Sequence, residues 1–136
     1  MKVKRIEHVA IAVRNLDAAR KTFETLGIGC EYEETINGIR LAMLPIGESA
    51  LELLEPQREG TRIGEWIATR GEGLYHICLK DIEAALAELR GRGVGLLDEV
   101  PRTGHGGHRI AFLDPRSTAD VLVELVEMVE PKPHAA

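Results

Sequence analysis

"LYHICLK", residues 74–80, would be an ordinary buried strand were it not for His76 in its middle. A histidine in such a run is usually a core imidazole bonded to the backbone. What sets this one apart is that the chain is written twice. Residues 6–13, "IEHVAIAV", alternate in the same way and carry His8 at the matching position. A helical pattern follows each, "NLDAARKTFETLG" (15–27) and "DIEAALAELRGRG" (81–93). Each has an acidic residue near its start, apolar residues at helical spacing and a closing glycine, Gly27 or Gly93.

The repeat continues downstream. "IRLAMLPIGESALELLEP" (39–56) has its counterpart in "HRIAFLDPRSTADVLVELVE" (108–127), each two strands around a turn rich in Pro, Gly or Ser. With short strands at Tyr32–Thr35 and near Leu96–Val100, each half reads βαβββ. The expected architecture is α+β: two paired βαβββ modules forming a curved mixed sheet around a metal-binding cleft. Module one covers about 4–57, a linker about 58–72 with a short helix near Ile63–Thr69, and module two about 73–129. Together they make a single domain over 1–136, with a frayed tail at 130–136.

A strand's period of two sorts these residues onto faces. Val9, Ile11 and Val13 share one face, and Ile6, His8, Ala10 and Ala12 the other. Tyr75, Ile77 and Leu79 oppose Leu74, His76 and Cys78. Leu51 and Leu53 lie opposite Glu52, and Val123 and Leu125 opposite Glu124. The repeat therefore matches His8 with His76 and Glu52 with Glu124. A core histidine has no reason to recur in this way with a glutamate one module-length on. A glutamate buried among leucines costs several kcal/mol unless compensated, and two converging carboxylates repel. One divalent ion held by His8, Glu52, His76 and Glu124 resolves both costs. The nitrogen and oxygen donors suit Co²⁺, Mn²⁺, Ni²⁺, Zn²⁺ or Fe²⁺ without choosing among them.

Composition narrows the setting. The 136 residues are 44% hydrophobic and 29% charged, with a net charge of −5 and basic residues scattered along the chain. Nucleic acid is a poor partner for such a surface, because phosphate neutralisation needs a basic stripe. Cys30 and Cys78 have no metal or redox spacing. No apolar run reaches membrane-spanning length and none reads as a signal peptide, so a cytoplasmic protein without membrane contact is expected.

The stretches "EHVAIAV", "ELLEP", "RGEGLYHI", "DIEAALAELRGRGV", "AFLDPRST" and "VLVELVE" cover nearly the whole chain. Together they resemble the vicinal oxygen chelate (glyoxalase/bleomycin resistance/dioxygenase) superfamily and, within it, the methylmalonyl-CoA epimerase family. The resemblance implies a glyoxalase-like fold, an acyl-CoA thioester substrate and commonly a homodimer. It puts the metal ligands on His8, Glu52, His76 and Glu124. It implies epimerisation of methylmalonyl-CoA between its (R) and (S) forms through a chelated enolate. Glu124 is then the first acid/base candidate and Glu52 the candidate for the second. A glyoxalase I-type lactoylglutathione lyase is the alternative, or a non-catalytic small-molecule-binding member of the superfamily.

The chain departs from the epimerase pattern in several places. Lys80 runs directly into Asp81, shortening that connection. Asp114, Pro115 and Arg116 stand where histidine, proline and lysine are common, and Ala119 and Asp120 replace a pair of glycines. The strand "IRLAML" lacks an acidic residue that some relatives carry there. Arg109 and Arg116 are candidates to meet CoA phosphates. The loop "TGHGGHR" (103–109) reads as a hairpin connection, "EYEE" (31–34) as a solvated strand edge, and Trp66 as linker-helix packing.

Overall fold

The computed structural model describes residues 3–80 and 85–127. In chain order they form β1 (Ile6–Ala12), α1 (Leu16–Thr25), β2 (Tyr32–Ile36), β3 (Ile39–Ile46), β4 (Ser49–Pro56) and α2 (Arg62–Arg70). There follow β5 (Gly73–Lys80), α3 (Ala85–Gly91), β6 (Arg102–Thr103), β7 (Arg109–Phe112) and β8 (Leu122–Glu127). The α+β class and the twofold βαβββ order match the sequence. The expected tail and the Lys80–Asp81 connection lie outside the described residues. No helix among the described residues is long and apolar enough to cross a membrane.

The described residues fall into two compact units, residues 8–75 and residues 3–7 with 76–127. In the first, the strand order is β2-β3-β4-β1. β1 and β4 run parallel, while β2, β3 and β4 are antiparallel neighbours. The helix α1 begins at Asn15, whose side chain accepts from the Ala18 N–H at 2.9 Å. The Glu55 carboxylate takes the Leu16 N–H at 2.6 Å, so two of the helix's orphan donors are satisfied. Leu16, Ala19 and Phe23, at helical spacing, lay α1 on Ile11, Val13, Ala42, Leu44, Leu51 and Leu53. The closing Gly27 has φ +88°, a conformation that favours glycine. The tight β2–β3 turn takes Asn37 (φ 52°) and Gly38 (φ 79°), the residue pair such a turn selects. Trp66 packs within this unit, edge-on to Tyr75 at 5.0 Å with the Arg70 guanidinium 4.1 Å above its ring.

The second unit repeats the plan with the order β5-β8-β7-β6. β5 and β8 are parallel, and α3 packs Ala85, Leu86 and Leu89 onto Ile77, Leu79, Ala111, Leu113, Val123 and Leu125. The strand expected near Leu96–Val100 is corrected by the structure. There the chain makes only one bridge, Leu96 with Leu113, and the paired strand β6 is the two residues after Pro101. The cause is local. The Leu97 and Asp98 N–H groups both reach the Phe112 carbonyl, and the Asp98 carboxylate takes the Phe112 N–H at 2.9 Å. A side chain thus replaces the ladder, and Pro101 has no N–H with which to resume it.

Candidate metal and acid–base site

In each unit the parallel strand pair sets one imidazole and one carboxylate on the face away from the helix. Ala10 lies opposite Glu52 and His8 opposite Ala50. Cys78 lies opposite Glu124 and His76 opposite Leu122. The offset is the same in both, so each histidine is the diagonal neighbour of its glutamate. His8 Nε2 is 3.1 Å from Glu52 Oε1, and His76 Nε2 is 3.6 Å from Glu124 Oε1. The same nitrogen faces the carboxylate in both pairs.

All four groups are withdrawn from water: His8 is 0% exposed, Glu52 3%, His76 5% and Glu124 3%. Leucines occupy the opposite strand face in each unit, and the apolar clusters beneath hold the strands in register. Flipping either strand by one residue would expose that cluster and bury the polar groups on the helix side, so the core itself fixes the donors' direction. Around Glu52 the same face carries Ala10 and Met43, and around Glu124 it carries Cys78 and Phe112. The Phe112 ring meets the His76 imidazole edge-on at 5.2 Å.

A family model describing the glyoxalase/bleomycin resistance protein/dioxygenase superfamily matches residues 7–112. The chain belongs to that superfamily. Among relatives, it is 35% identical to the uncharacterised protein YqjC of Bacillus subtilis, over 92% of this chain and 93% of that one. It is 33% identical to the ethylmalonyl-CoA/methylmalonyl-CoA epimerase of Cereibacter sphaeroides, over 93% and 99% of the two chains. Among solved structures, a variant methylmalonyl-CoA epimerase of Streptomyces coelicolor in complex with 2-nitronate-propionyl-CoA superimposes with a TM-score of 0.89 at 39% identity. It covers 97% of this chain and 100% of that one. The glyoxalase-like fold expected from the sequence is therefore the fold of this superfamily member.

Other residues singled out by the sequence are placed less simply. Arg109 shares the helix-side face with Ala111 and pairs with Glu127 at 3.5 Å, on the opposite face from Glu124. Arg116 is held by Asp114 at 2.6 Å, and that guanidinium keeps the Asp114 carboxyl below the usual carboxylate range. Arg102, which the sequence did not single out, lies on the Glu124 face, its guanidinium 5.6 Å from the centre of the Phe112 ring. Ala119 and Asp120 take φ 57° and 63°, a left-handed conformation that glycine adopts most readily. Asp120 is exposed.

"EYEE" is more than a wet edge. Glu33 bonds both Arg20 and Arg40, and Arg40 also reaches Asp17 at 2.8 Å. Asp17 is held below its ordinary range by that Arg40 contact. Tyr32, through Met43, shares a row and a face with Glu52. The histidines of "TGHGGHR" are the larger surprise. His105 is 5% exposed and His108 9%, where a plain hairpin loop would leave both in water. The available signal was the unusual density of imidazole in a glycine loop.

Proposed function

We propose that the protein epimerises methylmalonyl-CoA between its (R) and (S) forms, and that it does so with a divalent metal ion held by His8, Glu52, His76 and Glu124. The observation that carries this reading is the repeated diagonal His–Glu pair, buried in each module at one register. Epimerase relatives that align over nearly the full chain support the substrate.

The donor set fits such an ion. Two imidazoles and two carboxylates form a mixed nitrogen–oxygen set suited to a divalent transition metal, and buried carboxylates gain most from its charge. When bound, the ion supplies Lewis-acid stabilisation of the negative charge that develops on substrate oxygens. The chain's own residues do the rest. His8 and His76 present Nε2, and the leucine faces beneath Glu52 and Glu124 hold both carboxylates in place. The substrate's C2 hydrogen is acidic because it lies between a thioester carbonyl and a carboxylate. Epimerisation then requires a proton taken from one side of C2 and returned to the other. Glu124 is assigned the first acid/base role, with Glu52 the carboxylate of the ligand set that is available for the second. The assembly is read as a homodimer, checked by light scattering at micromolar concentration.

The test is elemental analysis of protein purified without chelator, with C2 deuterium wash-in and epimer conversion of methylmalonyl-CoA on the same samples. Near-stoichiometric metal and conversion that chelator abolishes are expected. Turnover of methylglyoxal with glutathione, and none of the thioester, would replace this reading by the glyoxalase I type.

A further inference from the structure

We infer that His105, positioned by Glu7, is the second proton-transfer group of the site, serving the side of C2 that Glu124 does not. The inference rests on the epimerase reading and deepens it. Epimerisation needs two groups able to exchange protons. A carboxylate engaged as a ligand is a weak base, and Glu124 and Glu52 both belong to the ligand set, so a group outside that set is better suited to share the work with Glu124.

The second unit offers another group. His105 Nε2 lies 3.3 Å from Glu7 Oε1, with side-chain exposures of 4% and 11%. A buried imidazole held by a carboxylate has a defined ring orientation, an arrangement well suited to proton transfer. Glu7 immediately precedes the proposed ligand His8 in the chain. The His108 ring packs against His105 edge-on, at 5.4 Å between centroids.

The loop's path brings His105 to the correct face. Gly104 N–H bonds the His108 carbonyl at 2.8 Å and His108 N–H bonds the His105 carbonyl at 3.0 Å, closing the loop on itself. A Cβ at Gly104 would lie 2.5 Å from the Ile110 side chain, so the loop rests directly on Ile110. Ile110 alternates with Phe112, and Phe112 is the cross-strand partner of Glu124. The loop carrying His105 therefore lies on the face that carries Glu124 and His76. One group reaches substrate from a strand, the other from the loop over that strand's face.

The step balances without a co-reactant. The C2–H bond breaks, its proton passes to the Glu124 carboxylate, and the electron pair is delocalised onto the thioester oxygen. The pair then returns to C2 as a proton from the His105 imidazole forms the new C–H bond on the opposite side. The reverse direction exchanges the roles.

The experiment uses the metal-loaded full chain in D₂O with each epimer separately. In His105→Gln, Glu124 still exchanges the C2 proton of the epimer that faces it, within about tenfold of the wild-type rate. Inversion falls by about 10²–10⁴-fold, the usual range of a lost acid–base group. Metal content and melting temperature stay unchanged. In Glu7→Gln, kcat falls by about tenfold while metal content and melting temperature stay at their wild-type values, a combination that mere loosening of the fold does not produce.

Wild-type inversion rates in both His105→Gln and His105→Asn overturn the inference, as does separation of exchange from inversion by Glu52→Gln instead. Loss of metal from His105→Gln overturns it too, since His105 would then be a ligand. Should both His105 variants melt far below the wild type, an unchanged kcat in Glu7→Gln overturns it. A wild-type protein that moves no C2 proton overturns the epimerase reading and this inference together, whereas the other outcomes leave that reading standing.

Discussion

The two modules repeat their inner strands and diverge at their outer ones. In both, the parallel pair β1/β4 or β5/β8 carries leucines beneath a helix and a diagonal His–Glu pair on the other face. At the outer edge, module one has a five-residue β2 on a tight Asn-Gly turn, tied down by Arg20, Arg40, Glu33 and Asp17. Module two has a two-residue β6 and a glycine loop that buries two histidines. The difference follows from constraint. An inner strand answers to core and site at once, so a register slip is penalised on both faces. The outer strand answers to neither as strictly, and residues particular to one chain collect there.

If the inner pairs are equivalent, removing either imidazole should have the same and the largest effect. His8→Ala and His76→Ala should each lose metal and activity together, because each deletes a ligand and leaves a hole. Metal retained by one variant and lost by the other, measured by elemental analysis, would break the equivalence. The glutamates should differ instead. In Glu124→Gln the amide oxygen can still coordinate but takes up no proton near neutrality. That variant keeps some metal while kcat falls by about 10²–10⁴-fold. Glu52→Gln should lose far less inversion, since His105 is assigned the second proton. Equal losses in the two would return Glu52 to that role.

How much of this was legible follows the same division. Alternation in "IEHVAIAV" and "LYHICLK", and the leucines flanking Glu52 and Glu124, placed all four polar groups on the correct faces, because one side of each strand had to meet a helix. "RIAFL" gave no such direction. Ile110 and Phe112 are buried on one face and Ala111 and Leu113 on the other. Only the pairing with β8 reveals that Arg109 faces away from Glu124. The strand near Leu96–Val100 failed because the Asp98 side chain takes a backbone donor that a ladder would have used. Buried His105 meets Glu7, 98 positions earlier, and no local pattern contains that contact.

The cores offer a matched comparison of intermediate size. Leu53 and Leu125 are both fully buried and stand at equivalent places beneath α1 and α3. Truncating either to alanine should cost about 2–5 kcal/mol, with the spread set by how far each site can collapse. Denaturant unfolding of the two variants checks this. A clearly smaller loss for Leu125→Ala would mean that module two, with its shorter outer strand, relaxes more readily around a cavity.

The smallest effect separates the modules by pH. Each contains an aspartate held below its ordinary value by an arginine: Asp17 by Arg40, and Asp114 by Arg116. A carboxyl with a lowered folded-state pKa stabilises the fold at pH values above its unfolded value, here 3.8. That contribution disappears as pH falls through the folded value, where the carboxyl is protonated in both states. Asp17→Asn and Asp114→Asn should therefore be less stable than the wild type near neutrality and converge with it in strong acid. The two should not be equal. Asp17 and Arg40 are 23 positions apart and meet only in the folded chain. Asp114 and Arg116 are two apart, so much of their attraction survives unfolding, and asparagine can still accept the Arg116 N–H. Denaturant midpoints followed from about neutral pH down to about pH 2 should thus shift more for Asp17→Asn. Both pairs are solvent-exposed enough that salt should shrink the difference. A larger shift for Asp114→Asn would show that this turn carries more of module two's stability than its local hydrogen bonds suggest.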